Sequence, residues 1–292
     1  MGPVDAEAST PALVKETETV ALFGAMLASR VTDVSEMPRS AYASSFGTVA
    51  AAYAENRPDY ARAAVCWALE GSPGRRVLDI GAGTGKLTAT LVELGVEVVA
   101  VEPDTAMLSE LRRALPSVRA QLGDAEHIPL MDGSVDAVLA GNALHWFEMS
   151  VAGPEIARVL APGGVMAGLW NVVDDRVSWV ARLAQISGGA AIGPRDTFSS
   201  WRGATGDLYL DRDKTVVGFG APQQREFAHG QQRNSRSLLA TLATRAGMLL
   251  MPEQQRATTL ARISAFLDSE AETSLGEFTL PLLTGVLRTQ RL

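Results

Sequence analysis

Cysteine is almost missing from this chain. Cys66 is the only one in 292 residues, which excludes an internal disulfide framework and any cysteine-based zinc site. Its expected role is that of a small buried hydrophobe. Histidine is nearly as scarce, with His127, His145 and His229 far apart in the chain, so a histidine-rich metal centre is not expected. Positive charge is also in deficit: 26 Lys and Arg stand against 33 Asp and Glu, for a formal net charge of −7. No Lys/Arg cluster relieves that deficit, which argues against a nucleic-acid backbone as partner. No apolar run reaches the roughly 20 residues that span a bilayer. "TVALFGAMLASRV" (19–31) follows acidic residues rather than basic ones and reads as an amphipathic helix, not a signal peptide. Ala6 stands where N-myristoylation prefers Ser or Thr. The expectation is a cytoplasmic protein without a membrane partner.

What is present is ordinary globular composition, 47% hydrophobic and 20% charged, in a length that allows one large α/β domain. Residues 1–40 are rich in Ala, Ser, Thr and Glu and read as an extension, helical in part. From about residue 75 strands alternate with helices. "RVLDI" (76–80), "VEVVAVE" (96–102), "VRAQLGD" (118–124), the start of 135–147 and "VMAGLWN" (165–171) read as strands. Helices are expected over 86–95, 104–115 with Asp104 as N-cap, and 153–160. Helical crossovers of this length require parallel pairing and right-handed connections, hence a doubly wound sheet. Beyond Asp174 the rhythm loosens. A helix is expected at 177–188, then an irregular stretch with exposed aromatics at 197–214. A strand at 224–232, helices at 235–248 and 252–269, and a last strand at 277–290 complete the pattern. Pro281 demotes that last strand from a central ladder unless it sits at a bulge or margin.

The chemistry concentrates in "RVLDIGAGTGKLTATL" (76–91). A triphosphate P-loop ending at Gly85-Lys86 would need glycine at Ile80 and a hydroxyl at Leu87. A dinucleotide turn wants its third glycine where Lys86 stands. Asp79, two residues ahead of Gly81, suits a cofactor that carries positive charge and is unwelcome beside a pyrophosphate.

The pattern acidic-x-G-x-G-x-G, with Asp79, Gly81, Gly83 and Gly85, resembles motif I of class I S-adenosylmethionine-dependent methyltransferases. Glu102 ends the second strand, 102 − 83 = 19 residues beyond Gly83, and Pro103 follows it. "GDAEHIPL" (123–130), "GNALHWF" (141–147) and "RVLAPGG" (158–164) resemble the later family segments in the right order. "FGTVAAAYAENRPDY" (46–60) and the C-terminal half are similar to the type 11, trans-aconitate methyltransferase-like, subgroup. The resemblance covers about 41–292. It implies a Rossmann-like seven-stranded sheet with the last strand antiparallel, a lead-in lid over 41–72 and a substrate-side insertion over 172–232.

The resemblance further implies S-adenosyl-L-methionine as cofactor, S-adenosyl-L-homocysteine as product and no metal. Asp79, Gly81, Gly83, Gly85, Glu102, Pro103, Asp124, Ala125, Asn142, Tyr53 and Arg57 are the implied cofactor residues. Glu102 would take the ribose hydroxyls, Asp124 and the backbone of Ala125 the adenine. The expected reaction is in-line methyl transfer to a small-molecule carboxylate or hydroxyl by a monomer or homodimer. His145 is the candidate general base, against the plainer reading of a packing residue. Tyr53, Arg57 and Tyr60 are either lid residues or ordinary helix residues. Two other functions stay open: a NAD-dependent oxidoreductase and a non-catalytic cofactor-binding module.

Overall fold

In the computed structural model, which describes residues 50–206 and 218–292, the first strands are β1 (Arg76–Ile80), β2 (Glu97–Glu102), β3 (Arg119–Leu122), β4 (Val135–Gly141) and β5 (Leu160–Val173). The central strands of the sheet, β1 and β4, are almost wholly buried, because their side chains alternate between two covered faces. All described residues fall in one compact unit, Arg39–Leu292. The expected 1–40 extension, residues 41–49 of the lead-in and 207–217 of the insertion lie outside the described residues.

Helices α1 (Ala50–Asn56) and α2 (Arg62–Leu69) precede β1, and α3 (Lys86–Glu93) and α4 (Thr105–Ala114) connect β1 to β2 and β2 to β3. Asp104 caps α4 as expected, its Oδ1 accepting from the N–H groups of Ala106 and Met107 at 2.8 and 2.9 Å. α5 (Met149–Val159) leads into β5 and begins four residues ahead of expectation, accommodating Pro154 in its interior. Then come α6 (Ser178–Ser187), α7 (Trp201–Gly206), β6 (Gln223–Arg233), α8 (Ser235–Ala243), α9 (Ala246–Leu249), α10 (Glu253–Ser269) and β7 (Phe278–Gln290). The sheet order is β3-β2-β1-β4-β5-β7-β6. β1 to β5 pair in parallel, and β7 runs antiparallel to both β5 and β6. This is the doubly wound, Rossmann-like seven-stranded sheet expected from the sequence.

Alternation divides the core into two layers. Val138 and Ala140 of β4 join Leu78 and Ile80 under α5, with Ala152, Ile156 and Val159. Ala137 and Leu139 join Val77 under α2 and α3, with Ala64, Val65, Leu87 and Leu91. A third cluster gathers α6, α8 and α10 around the start of β7, with Trp179, Leu183, Leu238, Ile263 and Leu267.

Three expectations are corrected. β7 is interior, between β5 and β6; Pro281 is tolerated because β5 ends at the Val173↔Leu282 pair, so only the Pro281 carbonyl is used on that side, by the Asp174 N–H at 3.1 Å. The 197–214 stretch is not wholly irregular: it contains α7, and Trp201 there is fully buried, 6.0 Å from Trp170 between ring centroids. Cys66 is exposed, not buried, because it lies on the outer face of α2.

Candidate active site

The carboxyl ends of the parallel strands converge where β1 meets α3. Gly81, Gly83 and Gly85 all have positive φ (67°, 57° and 91°), so the backbone turns back on itself in a way side chains disfavour. A Cβ at Gly81 would come within 2.7 Å of the Ala143 Cβ, whereas one at Gly83 would meet nothing within 4 Å. Gly81 is therefore pressed against the loop after β4, and Gly83 borders open space.

Asp79 is fully buried beneath this turn. Its Oδ2 accepts from Thr88 Oγ1 at 2.6 Å, and its Oδ1 has no protein partner. Burial, helped by Glu102 and opposed by the Thr88 hydrogen bond, pushes its pKa to about 7. Thr84 Oγ1 is a second buried atom of the turn without a partner. Buried polar atoms are rarely left so, and here two of them border one concave turn. A cationic group beside Asp79 would satisfy Oδ1 and restore the ionised form.

Glu102, at the end of β2, is also buried. Its Oε2 accepts from Gly83 N–H at 2.7 Å and its Oε1 from Asp104 N–H at 2.9 Å. Each carboxylate oxygen has a further lone pair, so the same group can hold the turn and take ligand hydroxyls. Burial raises its pKa against the pull of these two N–H groups. Pro103 beside it is exposed, and Ala125 is buried. Asp124 is about half exposed (49%) and its Oδ1 accepts from His127 N–H at 2.7 Å.

The lead-in segment closes over β4. Tyr60 is buried, and a Cβ on Gly141 would lie 2.5 Å from its hydroxyl, so that strand end must be glycine. Asn142 follows at φ 50°, the one non-glycine residue with positive φ among the described residues, and its Nδ2 donates to Tyr60 Oη at 3.2 Å. Arg57 is buried, lies 4.5 Å over the Tyr53 ring and donates through Nη2 to the Thr244 carbonyl at 3.1 Å. Its Nε has no partner. Asp79, the three glycines, Glu102, Asn142, Tyr60 and Arg57 thus surround one end of the sheet.

His145 sits on a short 3₁₀ turn, Leu144–Trp146. Its Nδ1 lies 3.3 Å from Trp170 Nε1. Because indole nitrogen only donates, Nδ1 accepts and the ring proton is on Nε2. Burial, with Arg195 and Arg245 adding repulsion, lowers its pKa to about 3. With Nδ1 taken by Trp170 and the ring neutral, His145 presents its Nε2–H as a donor. Arg245 pairs with Asp196 at 2.5 Å and keeps a buried Nε without a partner; Arg195 lies 5.9 Å from the Trp146 ring. No short-range pattern marks Thr88, Arg195 or Arg245 in the sequence, since their neighbours come from distant segments. Among the described residues no group of three or more His, Cys, Asp or Glu could hold a metal, and no helix is long and apolar enough to cross a membrane.

Fold and turn together define a class I S-adenosylmethionine-dependent methyltransferase. The family described as "Methyltransferase domain" matches residues 78–168. The chain is similar to the uncharacterised methyltransferase Rv3342 of Mycobacterium tuberculosis, 41% identical over 245 residues that cover 84% of this chain and 94% of that one. A demethylmenaquinone methyltransferase of Beutenbergia cavernae is 43% identical over 104 residues, covering 35% of this chain and 43% of its own. The structure of a type II methyltransferase (so described, as putative) from Anaeromyxobacter dehalogenans matches with a TM-score of 0.54 and 26% identity, covering 80% of this chain and 97% of that one. The chain belongs to the methyltransferase family, and it is an S-adenosylmethionine-dependent enzyme.

Proposed function

We propose that the turn at Asp79–Gly85 holds S-adenosylmethionine and that the enzyme methylates a small-molecule acceptor at oxygen. One observation carries the site assignment: Asp79 is a fully buried carboxylate with one oxygen unpartnered, under a glycine turn open at Gly83. When bound, the cofactor supplies an electrophilic methyl group on a sulfonium.

Asp79 would hold the cationic end, Glu102 the ribose, and Asp124 with the Ala125 backbone the adenine. Pro103 flanks Glu102, while Asn142, Tyr53 and Arg57 close the lead-in side. The buried Asp79 carboxylate beneath the turn disfavours a pyrophosphate, and Lys86 stands where a dinucleotide turn wants glycine, which counts against the oxidoreductase alternative. The chain's main task is then alignment and exclusion of water, with Tyr60 and Asn142 covering the strand end. A non-catalytic module remains the alternative to be tested by turnover to S-adenosylhomocysteine.

A carboxylate acceptor fits better than a hydroxyl. Arg57, Arg195 and Arg245 act on one another or on His145 across this end of the sheet, and among the described residues Asp196 is the carboxylate paired with them. The remaining positive charge favours an anion, and a carboxylate has no proton to remove, which agrees with a His145 that is already neutral and donating. This is also the acceptor type implied by the trans-aconitate-like subgroup. Action in the cytoplasm as a monomer or homodimer belongs to the same reading.

Calorimetry with S-adenosylhomocysteine on Asp79→Ala and Glu102→Ala tests the site. Loss of binding in both is expected; unaltered affinity in both would sink the assignment.

A further inference from the structure

The lead-in segment is not held by its own helices. Between α1 and α2 the chain at Arg57–Ala61 crosses the last three strands, and its backbone is gripped by a buried polar cluster drawn from all of them. Asn171 on β5 donates through Nδ2 to the carbonyls of Pro58 and Asp59, both at 3.1 Å. Its Oδ1 accepts from Thr284 Oγ1 on β7 at 2.8 Å. Thr284 Oγ1 in turn accepts from Ala61 N–H at 3.0 Å. His229 on β6 lies 3.2 Å from the same oxygen through Nε2.

Donor counting fixes every role. The Thr284 hydroxyl has one hydrogen, given to Asn171, so His229 must donate through Nε2. The hydroxyl thus makes one donation and two acceptances, and both Asn171 amide hydrogens are used. Asn171 and Thr284 are directly opposed across β5 and β7, and His229 is diagonal to Thr284 across β6, so sheet register alone brings the three side chains to one face. Asn171 and Thr284 are 3% and 0% exposed. A buried polar cluster of this kind stabilises only while it is complete, and it then specifies one geometry.

What it specifies lies next door. The gripped segment carries Arg57 and Tyr60, the latter bonded to Asn142 and near enough to Asp79 to act on it electrostatically. We propose that Asn171, Thr284 and His229 are positioning residues for the cofactor site: through backbone bonds at Pro58, Asp59 and Ala61 they set Tyr60 and Arg57 against the ends of β1 and β4. Among the described residues no hydrogen bond joins any of the three to the turn at Gly81–Gly85. The inference rests on the cofactor site proposed above.

Thr284→Val removes the hydroxyl at constant shape. It leaves Ala61 N–H and Asn171 Oδ1 without partners. On the full chain, the expected result is an S-adenosylhomocysteine Kd raised about tenfold by calorimetry, with faster hydrogen exchange at Asp59, Tyr60 and Ala61 in the ligand-free protein. Thr284→Ser restores both. Leu267→Ala, in the α10 cluster, serves as a variant with a comparable fall in Tm and an unchanged Kd. Should Thr284→Val fail to fold, His229→Phe at its half-buried site shifts both readouts the same way, about threefold in Kd. Wild-type Kd and exchange in the folded variant, or an equal loss of affinity in Leu267→Ala, overturn the proposal. If the wild type itself binds no S-adenosylhomocysteine, the cofactor assignment fails instead, and the exchange experiment alone decides whether Thr284 holds the segment.

Discussion

The two halves of the sheet are built on different principles. On the β3-β2-β1-β4 side, the candidate cofactor residues stand at strand ends or in the turn that follows a strand. Gly83 N–H reaches Glu102 at 2.7 Å, and Asp104 caps its own helix. On the β5-β7-β6 side, contacts reach segments more than a hundred residues away, as when Asn171 takes the carbonyls of Pro58 and Asp59. The first half takes its form from local backbone shape. The second half sets what that shape faces. A change in the first should therefore strike cofactor affinity directly, and a change in the second should strike alignment or acceptor affinity.

The largest expected effect is the pH dependence of the ligand-free protein. Asp79 titrates near 7 when folded, against 3.8 for the ordinary group, so the folded chain holds that proton more tightly than the unfolded one. Its contribution is fully present below pH about 4 and lost as pH rises to about 7 and beyond, by roughly 4 kcal/mol at most. Cofactor affinity moves the opposite way, rising from pH 6 to 8, because only the ionised form meets a cation favourably. Urea denaturation across this range, compared with Asp79→Asn, should show the slope in the wild type alone.

Next comes Gly81→Ala, which combines a positive φ with a Cβ 2.7 Å from Ala143. A loss of about 2–3 kcal/mol by denaturant titration is expected. Gly83→Ala, facing open space, should cost about 1 kcal/mol from backbone strain alone yet weaken cofactor binding. On the other half, Arg245→Gln should raise KM for an acidic acceptor about tenfold, near 1.4 kcal/mol, with the cofactor Kd unchanged. The smallest effect is expected at His145→Gln. A neutral donor replaced by another should alter kcat less than about threefold, and the pH–rate profile between 5 and 8 should keep its shape.

The contrast also explains what the sequence made legible. The strand–helix alternation and the glycine spacing disclosed β1 to β5 and the turn because their physics is local: short apolar runs, caps and positive-φ glycines. Asp104 as a cap and Glu102 at a strand end follow from positions within a few residues of each other. The interior placement of β7 was not legible, since nothing near Pro281 reports where β5 stops. Nor was the burial of Trp201, which depends on β7 coming to lie under α7. His145 could be located at a strand end, but its tautomer depends on Trp170, 25 residues away, and its low pKa on Arg195 and Arg245. In the sequence Tyr60 stayed open between a lid residue and an ordinary helix residue; the Asn171–Thr284–His229 grip on its segment was not legible at all.

The central claim is that a buried, half-satisfied carboxylate under a phosphate-free turn recognises a cationic cofactor. Calorimetric titration of Asp79→Asn with S-adenosylhomocysteine, whose ammonium is retained, tests it most directly. The variant keeps the shape and can retain the Thr88 contact, so folding should survive. A Kd raised about a hundredfold over the wild type at pH 8 is the predicted result. A wild-type Kd in a folded variant would contradict it.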